Sequence, residues 1–146
     1  MSQRASESIL VNAEPLAVYK VATDFGHYVD WAADLKKVDV LSTDDQGRAL
    51  EVAFRAAAFG RSTSYTLRYD YAEAPEVLSW SQTRGDLTTV LNGAYRFAAS
   101  GTGTKVTFEL EVELLVPIPS FVKSRAASRI QSQALRELKA RAERLQ

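Results

Sequence analysis

A chain of 146 residues, of which 46% are apolar and 25% charged, has the length and composition of one soluble globular domain. The absence of cysteine excludes disulfides, thiol catalysis and cysteine-bound metals, and the single histidine excludes any site that needs two imidazoles. The net charge is zero, and no apolar run has the length of a signal peptide or a membrane span. We therefore expect a cytoplasmic protein with a single domain over residues 1–146.

The N-terminal quarter of the chain predicts one strand followed by two short helices. Apolar and polar residues alternate over residues 6–12, which is typical of a strand. Residues 13–24 predict a helix, because Pro15 is tolerated in a first turn and the acidic Glu14 suits the positive end of the helix. A second short helix or turn covers residues 26–31.

Six further strands are predicted from Lys36 onward, where the period of the apolar residues changes to two. The turns that separate these strands contain Gly47, Gly60, Pro75, Gly85 and Gly101. The last strand has the clearest pattern, because apolar residues at the even positions of 106–114 alternate with threonine and glutamate at the odd positions. One face of the predicted sheet is therefore covered by other parts of the protein, and the other face is exposed to solvent.

The C-terminal segment, residues 118–145, predicts a single long helix. Small and apolar residues recur at every third or fourth position and form one stripe that includes Ile130 and Ala134. At ~1.5 Å per residue the helix is about 40 Å long. Phe121 and Val122 lie ~100–150° away from the centre of the stripe, so we expect them to form a mouth or lid at one end of a cavity.

These elements together predict an α+β domain, in which a curved antiparallel seven-stranded sheet with two short helices wraps around the long C-terminal helix. A strongly twisted sheet curls, and a helix on its concave side rarely fills the space completely. We therefore expect a cavity between sheet and helix. The predicted ligand-binding residues are Phe54, Tyr65, Leu67, Trp80, Leu91, Tyr95, Phe97, Phe121, Ile130 and Ala134.

An aromatic wall with a few hydroxyl groups suits a flat, largely apolar ligand such as a polyketide, a quinone, a flavonoid or a lipid. The alternative is plain core packing, because aromatic residues at the strand period of two are often core residues. Tyr65 and Tyr95 supply the best inward hydroxyls, and Gln82 offers an amide. No arginine or carboxylate is predicted inside the cavity, and this inventory favours binding over catalysis.

The order of strand, helix pair, six-stranded meander and long helix resembles the START and birch-pollen-allergen-like superfamily, also called SRPBCC. Within it, the chain is most similar to the polyketide cyclase/dehydrase and coenzyme-Q-binding type. The resemblance is carried by Pro15, Val18, Tyr19, Asp24, Phe25, Tyr28, Trp31, Trp80, Gly93, Tyr95, Phe97, Gly103, Thr104, Pro117 and Pro119. It implies the helix-grip fold and a small hydrophobic ligand. Because the superfamily includes enzymes, a polyketide cyclase, aromatase or dehydratase that uses Tyr65, Tyr95 and ordered water is an alternative.

Two other groups of polar residues are interpreted as structural. Asp24 lies near His27, which suggests acid–base chemistry, but a local cap or ion pair at the helix end is favoured. Glu109, Glu111 and Glu113 alternate along one strand and do not converge on a single ion, so we assign them to the solvated outer face. We expect no metal ion and no cofactor, and no catalytic residue is assigned.

The C-terminal helix is basic, since residues 118–146 contain seven basic and two acidic residues. We interpret this surface as a solvated helix face. The alternative is a regulatory protein-interaction module that acts through the basic helix, because such a surface attracts anionic partners. No motif with interleaved aromatic and basic residues is present, so we expect no nucleic-acid partner. Because no apolar run is long enough to span a membrane, we also expect no stable membrane insertion.

Overall fold

The computed structural model of the chain describes residues 3–58, 61–115 and 119–146. Seven strands and three helices follow one another in the predicted order. They are β1 (Gln3–Val11), α1 (Pro15–Thr23), α2 (Tyr28–Trp31), β2 (Leu35–Thr43), β3 (Ala49–Ala58), β4 (Arg61–Asp70), β5 (Val77–Gly85), β6 (Thr88–Ser100), β7 (Gly103–Leu114) and α3 (Ser120–Arg144). A 3-10 turn, Phe25–His27, joins α1 to α2. The predicted turn at residues 59–60 lies outside the described residues.

The seven strands form one antiparallel sheet in the order β1-β7-β6-β5-β4-β3-β2. β1 crosses from the start of the chain to pair with β7, and Val11 lies opposite Thr104. Close packing fixes this end of the pair, because a Cβ atom on Gly103 would lie 2.4 Å from the carbonyl oxygen of Val11. The hydroxyl of Thr104 donates to the carbonyl of Ala13 at 2.7 Å, just before α1 begins. The predicted fold class is confirmed.

Polar bonds attach α3 to the edge strand β1. The Glu7 carboxylate accepts hydrogen bonds from the hydroxyls of Ser128 at 2.6 Å and Ser132 at 2.7 Å. Further along the helix, Nζ of Lys139 donates to the Leu10 carbonyl at 2.9 Å. One side of α3 is therefore held against β1.

The buried stripe of α3 contains Ala127, Leu135, Leu138 and Ala142, as its period predicts. It also contains Gln131, a fully buried polar residue whose amide Nε2 donates to the carbonyls of Ala5 at 2.9 Å and Phe108 at 2.8 Å. These bonds continue the attachment of α3 to β1 and β7. The opposite flank of the helix faces the strands of the other half of the sheet, and the cavity lies there.

Charged residues cover the outer face of the sheet. The carboxylate of Glu109 pairs with Arg96 at 2.7 Å, and that of Glu111 pairs with Arg4 at 3.4 Å. Within the described residues, no group of histidine, aspartate and glutamate side chains is arranged to hold a metal ion. The described helices include none with the length and apolar character that a membrane crossing requires.

Candidate ligand-binding cavity

A cavity of about 220 Å³ lies between the sheet and α3. It exceeds the ~150 Å³ apolar cavity that accepts benzene and falls below the ~300 Å³ at which drug-sized pockets begin. Its volume therefore suits a molecule with one ring or with two fused rings. Eight of the ten predicted ligand-binding residues line it, namely Phe54, Tyr65, Leu67, Trp80, Leu91, Tyr95, Ile130 and Ala134.

Phe97 and Phe121 are not among the residues that line this cavity, and ligand contact by Phe97 stays a prediction. Phe97 is buried on the same strand as Tyr95, two residues further along. The centroid of its ring lies 5.9 Å from that of Tyr19, and the two ring planes are nearly perpendicular. The first helix therefore covers it. Phe121 is 67% exposed, because α3 runs as a continuous helix from Ser120 and its stripe turns away from this position. Ligand contact by Phe121 stays a prediction.

Aromatic rings in contact with one another form the wall. The centroid of the Trp80 indole lies 5.9 Å from the ring centroid of Tyr69, 5.3 Å from that of Tyr95 and 5.7 Å from that of Phe108. Phe54 and Tyr65 stack at 5.2 Å with an angle of 19° between their planes. Such contacts restrict ring motion and favour a cavity of defined shape.

The tyrosines near the core differ in how their hydroxyl groups are used. The hydroxyls of Tyr28 and Tyr71 donate to the backbone carbonyls of Ala22 and Ala49. The hydroxyls of the cavity residues Tyr65, Tyr69 and Tyr95 make no hydrogen bond with any described residue, and none of them is sealed away from a water-sized molecule. Three hydroxyl groups in the wall are therefore available to a ligand or to water.

Burial raises the pKa of each of these three hydroxyls, because the phenolate is poorly solvated there. The carboxylate of Asp34 adds to the increase in the pKa of Tyr65. The neighbouring Tyr65 and the carboxylate of Glu137 do the same for the pKa of Tyr95. The hydroxyls are therefore protonated at neutral pH and act as hydrogen-bond donors.

Two carboxylates line the cavity, although the sequence analysis placed none there. Asp34 is exposed just before β2, and its Oδ2 accepts a hydrogen bond from Nε2 of Gln133 at 3.0 Å. Oε2 of Glu137 accepts the backbone N–H of Ala33 at 2.9 Å. These two bonds join the segment after α2 to α3 and form what we call the mouth, defined by Ala33, Asp34, Gln133 and Glu137.

A helical signal could have identified Glu137. It lies three residues after Ala134 and seven after Ile130, so it shares their face of α3. Asp34 has no such signal, because it lies in a connection whose path depends on how α2 packs. The predicted amide of Gln82 does not line the cavity. Its Nε2 donates to the Thr88 carbonyl at 2.7 Å, and its Oε1 accepts the Thr88 hydroxyl at 2.5 Å.

The Asp24–His27 pair lies outside the cavity. Nδ1 of His27 is 2.8 Å from Oδ2 of Asp24, and both side chains are more than half exposed. The hydrogen bond that His27 donates to Asp24, followed by the charge of that carboxylate, raises the pKa of His27. This geometry is that of a local ion pair. The exposed Arg125, Arg129 and Arg136 of α3 do not line the cavity either, and a partner for the basic helix stays a prediction.

The chain matches a family described as polyketide cyclase/dehydrase and lipid transport over residues 2–143. No curated protein matches it. Among solved structures, a START superfamily protein from Mycobacterium smegmatis superimposes with a TM-score of 0.93 at 21% identity, covering 98% of this chain and 99% of the other.

Two further solved structures share the fold at lower identity. The Zhui aromatase/cyclase from Streptomyces sp. R1128 gives a TM-score of 0.86 at 16% identity, covering 99% of this chain and 95% of the other. A major latex-like protein from Panax ginseng gives 0.73 at 12% identity, with 97% of each chain covered. These similarities establish the START-type helix-grip fold.

Proposed function

The chain belongs to the polyketide cyclase/dehydrase and lipid transport family, and we propose that it binds a small, largely apolar molecule between its sheet and α3. The observation that carries this proposal is the cavity of about 220 Å³ with three donor hydroxyls that no described residue satisfies. A protein core normally pairs its polar groups and fills its space. A cavity that does neither is the form expected of a binding site.

Intrinsic fluorescence offers a direct test, because both tryptophans of the chain, Trp31 and Trp80, line the cavity. We expect the bicyclic ketone α-tetralone to quench this fluorescence in a saturable manner. Trp31→Phe and Trp80→Phe should each remove part of the signal while binding persists.

A cavity-filling substitution connects the signal to the site. Ala134 lines the cavity, whereas Ala140 is exposed on the same helix. Ala134→Phe should abolish saturable quenching, and Ala140→Phe should leave it unchanged. Equal binding by the wild-type chain and Ala134→Phe would contradict the proposal. Independently of these variants, native mass spectrometry of the protein purified from its own host would identify a molecule that it retains.

Catalysis of ring closure or dehydration is a second candidate, which the placement of proton donors and carboxylates around one cavity favours. In the dehydration of a β-hydroxy ketone, a base removes the proton beside the carbonyl, and the hydroxyl leaves as water after it is protonated. The hydroxyl of Tyr95 would donate to the carbonyl, and the carboxylate of Glu137 would remove the proton and then deliver it to the leaving hydroxyl. Water leaves, and no oxidant or reductant is required.

The absorbance of the conjugated ketone formed from a bicyclic β-hydroxy ketone measures this activity. A catalyst would lose rate in Tyr95→Phe and Glu137→Gln by a larger factor than either substitution costs in affinity for α-tetralone. A rate no higher than that of free tyrosine and acetate at the same concentrations would leave binding alone as the function.

A further inference from the structure

We propose that the cavity selects ligands by charge: it accepts neutral molecules and molecules with a cationic end, and it rejects carboxylates such as free fatty acids or aromatic acids. The inference rests on the proposed binding function and names the class of ligand that the same cavity takes. It follows from the charges around the cavity, the unused hydroxyls in its wall and the bonding of the two carboxylates at its mouth.

The charged residues that line the cavity are all of one sign. Among the described residues that line it, the charged side chains are those of Asp34 and Glu137, and no lysine, arginine or histidine is included. Lys36 donates its Nζ to the Ala33 carbonyl at 3.4 Å beside the mouth, but its side chain is exposed and does not line the cavity. A carboxylate inside would lose its hydration without gaining a cation.

The hydroxyls in the wall point to a neutral acceptor. Tyr69 is 95% buried, lines the cavity and makes no hydrogen bond with a described residue. Tyr65 and Tyr95 are partly buried, and they also line the cavity without such a bond. A ketone, ether or hydroxyl oxygen accepts such bonds at a small desolvation cost. A carboxylate could accept them too, but it would meet the repulsion of the two like charges at the mouth.

The mouth points to a donor at the other end of the ligand. The bonds from Gln133 and Ala33 use Oδ2 of Asp34 and Oε2 of Glu137. The second oxygen of each carboxylate accepts no hydrogen bond from a described residue. A ligand hydroxyl or ammonium group at the mouth can therefore donate to these oxygens, which gives the ligand an orientation.

A matched set of three naphthalenes separates charge from shape. β-Naphthol, β-naphthoate and β-naphthylmethylamine have the same ring system and are neutral, anionic and cationic at neutral pH. We expect calorimetric titration of the wild-type chain to give an affinity for the naphthoate at least about tenfold below that for the naphthol. The amine should bind at least as well as the naphthol.

Isosteric substitutions at the mouth test the cause. Asp34→Asn and Glu137→Gln retain an oxygen that can accept the bonds from Gln133 and Ala33, so the double variant removes charge and keeps shape. It should bind the naphthoate at least about threefold more tightly and the amine more weakly, with the naphthol within about twofold. Asp39→Asn is the control, because this exposed carboxylate does not line the cavity.

The outcomes distinguish the two proposals. Failure of all three naphthalenes to bind would overturn the proposed function and this inference with it. Binding of the naphthoate as tightly as the naphthol, or an unchanged ratio in the double variant, would overturn the charge selection and leave the binding function intact.

Discussion

Trp80 lies directly over Gly93, so that a Cβ atom on the glycine would stand 2.8 Å from Cζ2 of the indole and 2.5 Å from the carbonyl oxygen of Glu109. The two residues are opposite each other in the pairing of β5 with β6. Because Gly93 has no side chain, the indole can lie flat on the sheet and form part of the cavity wall. Any larger residue would displace either the indole or the neighbouring backbone.

Gly93→Ala should destabilise the fold by about 1–3 kcal/mol, because an added methyl group has no space at this position. Chemical denaturation measures the change. Gly26→Ala is the matched control, since its Cβ atom would meet no atom within 4 Å, and it should stay within about 0.5 kcal/mol of wild type. Equal stabilities of the two variants would contradict the close packing described above.

Leu138→Ala should be among the more destabilising single substitutions, with a loss of about 2–5 kcal/mol of unfolding free energy. Leu138 is 1% exposed in the stripe that docks α3, so truncation leaves a cavity. Leu145, at the end of the same helix, is 58% exposed. Leu145→Ala should therefore change the stability by no more than about 0.5 kcal/mol.

Gln131→Leu tests the polar attachment of α3. The substitution keeps the approximate side-chain size but removes the donor to the carbonyls of Ala5 and Phe108. We expect a loss of about 1–3 kcal/mol, reduced somewhat because Oε1 of Gln131 has no partner among the described residues. Gln46→Leu, in an exposed turn, is the control. A Gln131→Leu variant more stable than wild type would show that these two hydrogen bonds do not hold the helix in place.

The single histidine permits a clean pH experiment. The pKa of His27 is raised above 6.5 by its hydrogen bond to Asp24. A group whose pKa is higher in the folded state stabilises the fold fully below its unfolded pKa, and this contribution is lost as the pH rises through the folded pKa. NMR titration should show the raised pKa, and Asp24→Asn should lower it.

His27→Ala should leave α-tetralone binding unchanged, because the pair lies outside the cavity. A loss of affinity of about a hundredfold would place the pair in the site.

Phe121 and Val122 test whether the start of α3 serves the cavity. Both are exposed, at 67% and 37%. Replacing both with serine should leave the unfolding free energy within about 0.5 kcal/mol, because neither contributes to a buried core. If they form a lid, the rate of α-tetralone exchange measured by NMR should increase. A loss of several kcal/mol with unaltered exchange would instead make them core residues.

The periodic parts of this chain could be predicted from sequence. The alternation through residues 106–114 and the three-and-four spacing of α3 each depend on local geometry, since a strand repeats every two residues and a helix every 3.6. This is why the sheet, the long helix and most of the aromatic wall were predicted. Tyr65, Trp80 and Tyr95 lie where the pleat alone places them.

The remaining features depend on tertiary structure, because they join residues that no local period relates. Asp34 is held at the mouth by its bond with Gln133, 99 positions away. Phe97 shares the face of Tyr95 but is covered by Tyr19 of α1. The hydroxyls of Tyr28 and Tyr95 are chemically the same, and only the packed fold gives one a carbonyl partner and leaves the other open to the cavity. Local sequence determined which side chains face inward, and the packing of distant elements decided which of them a ligand can reach.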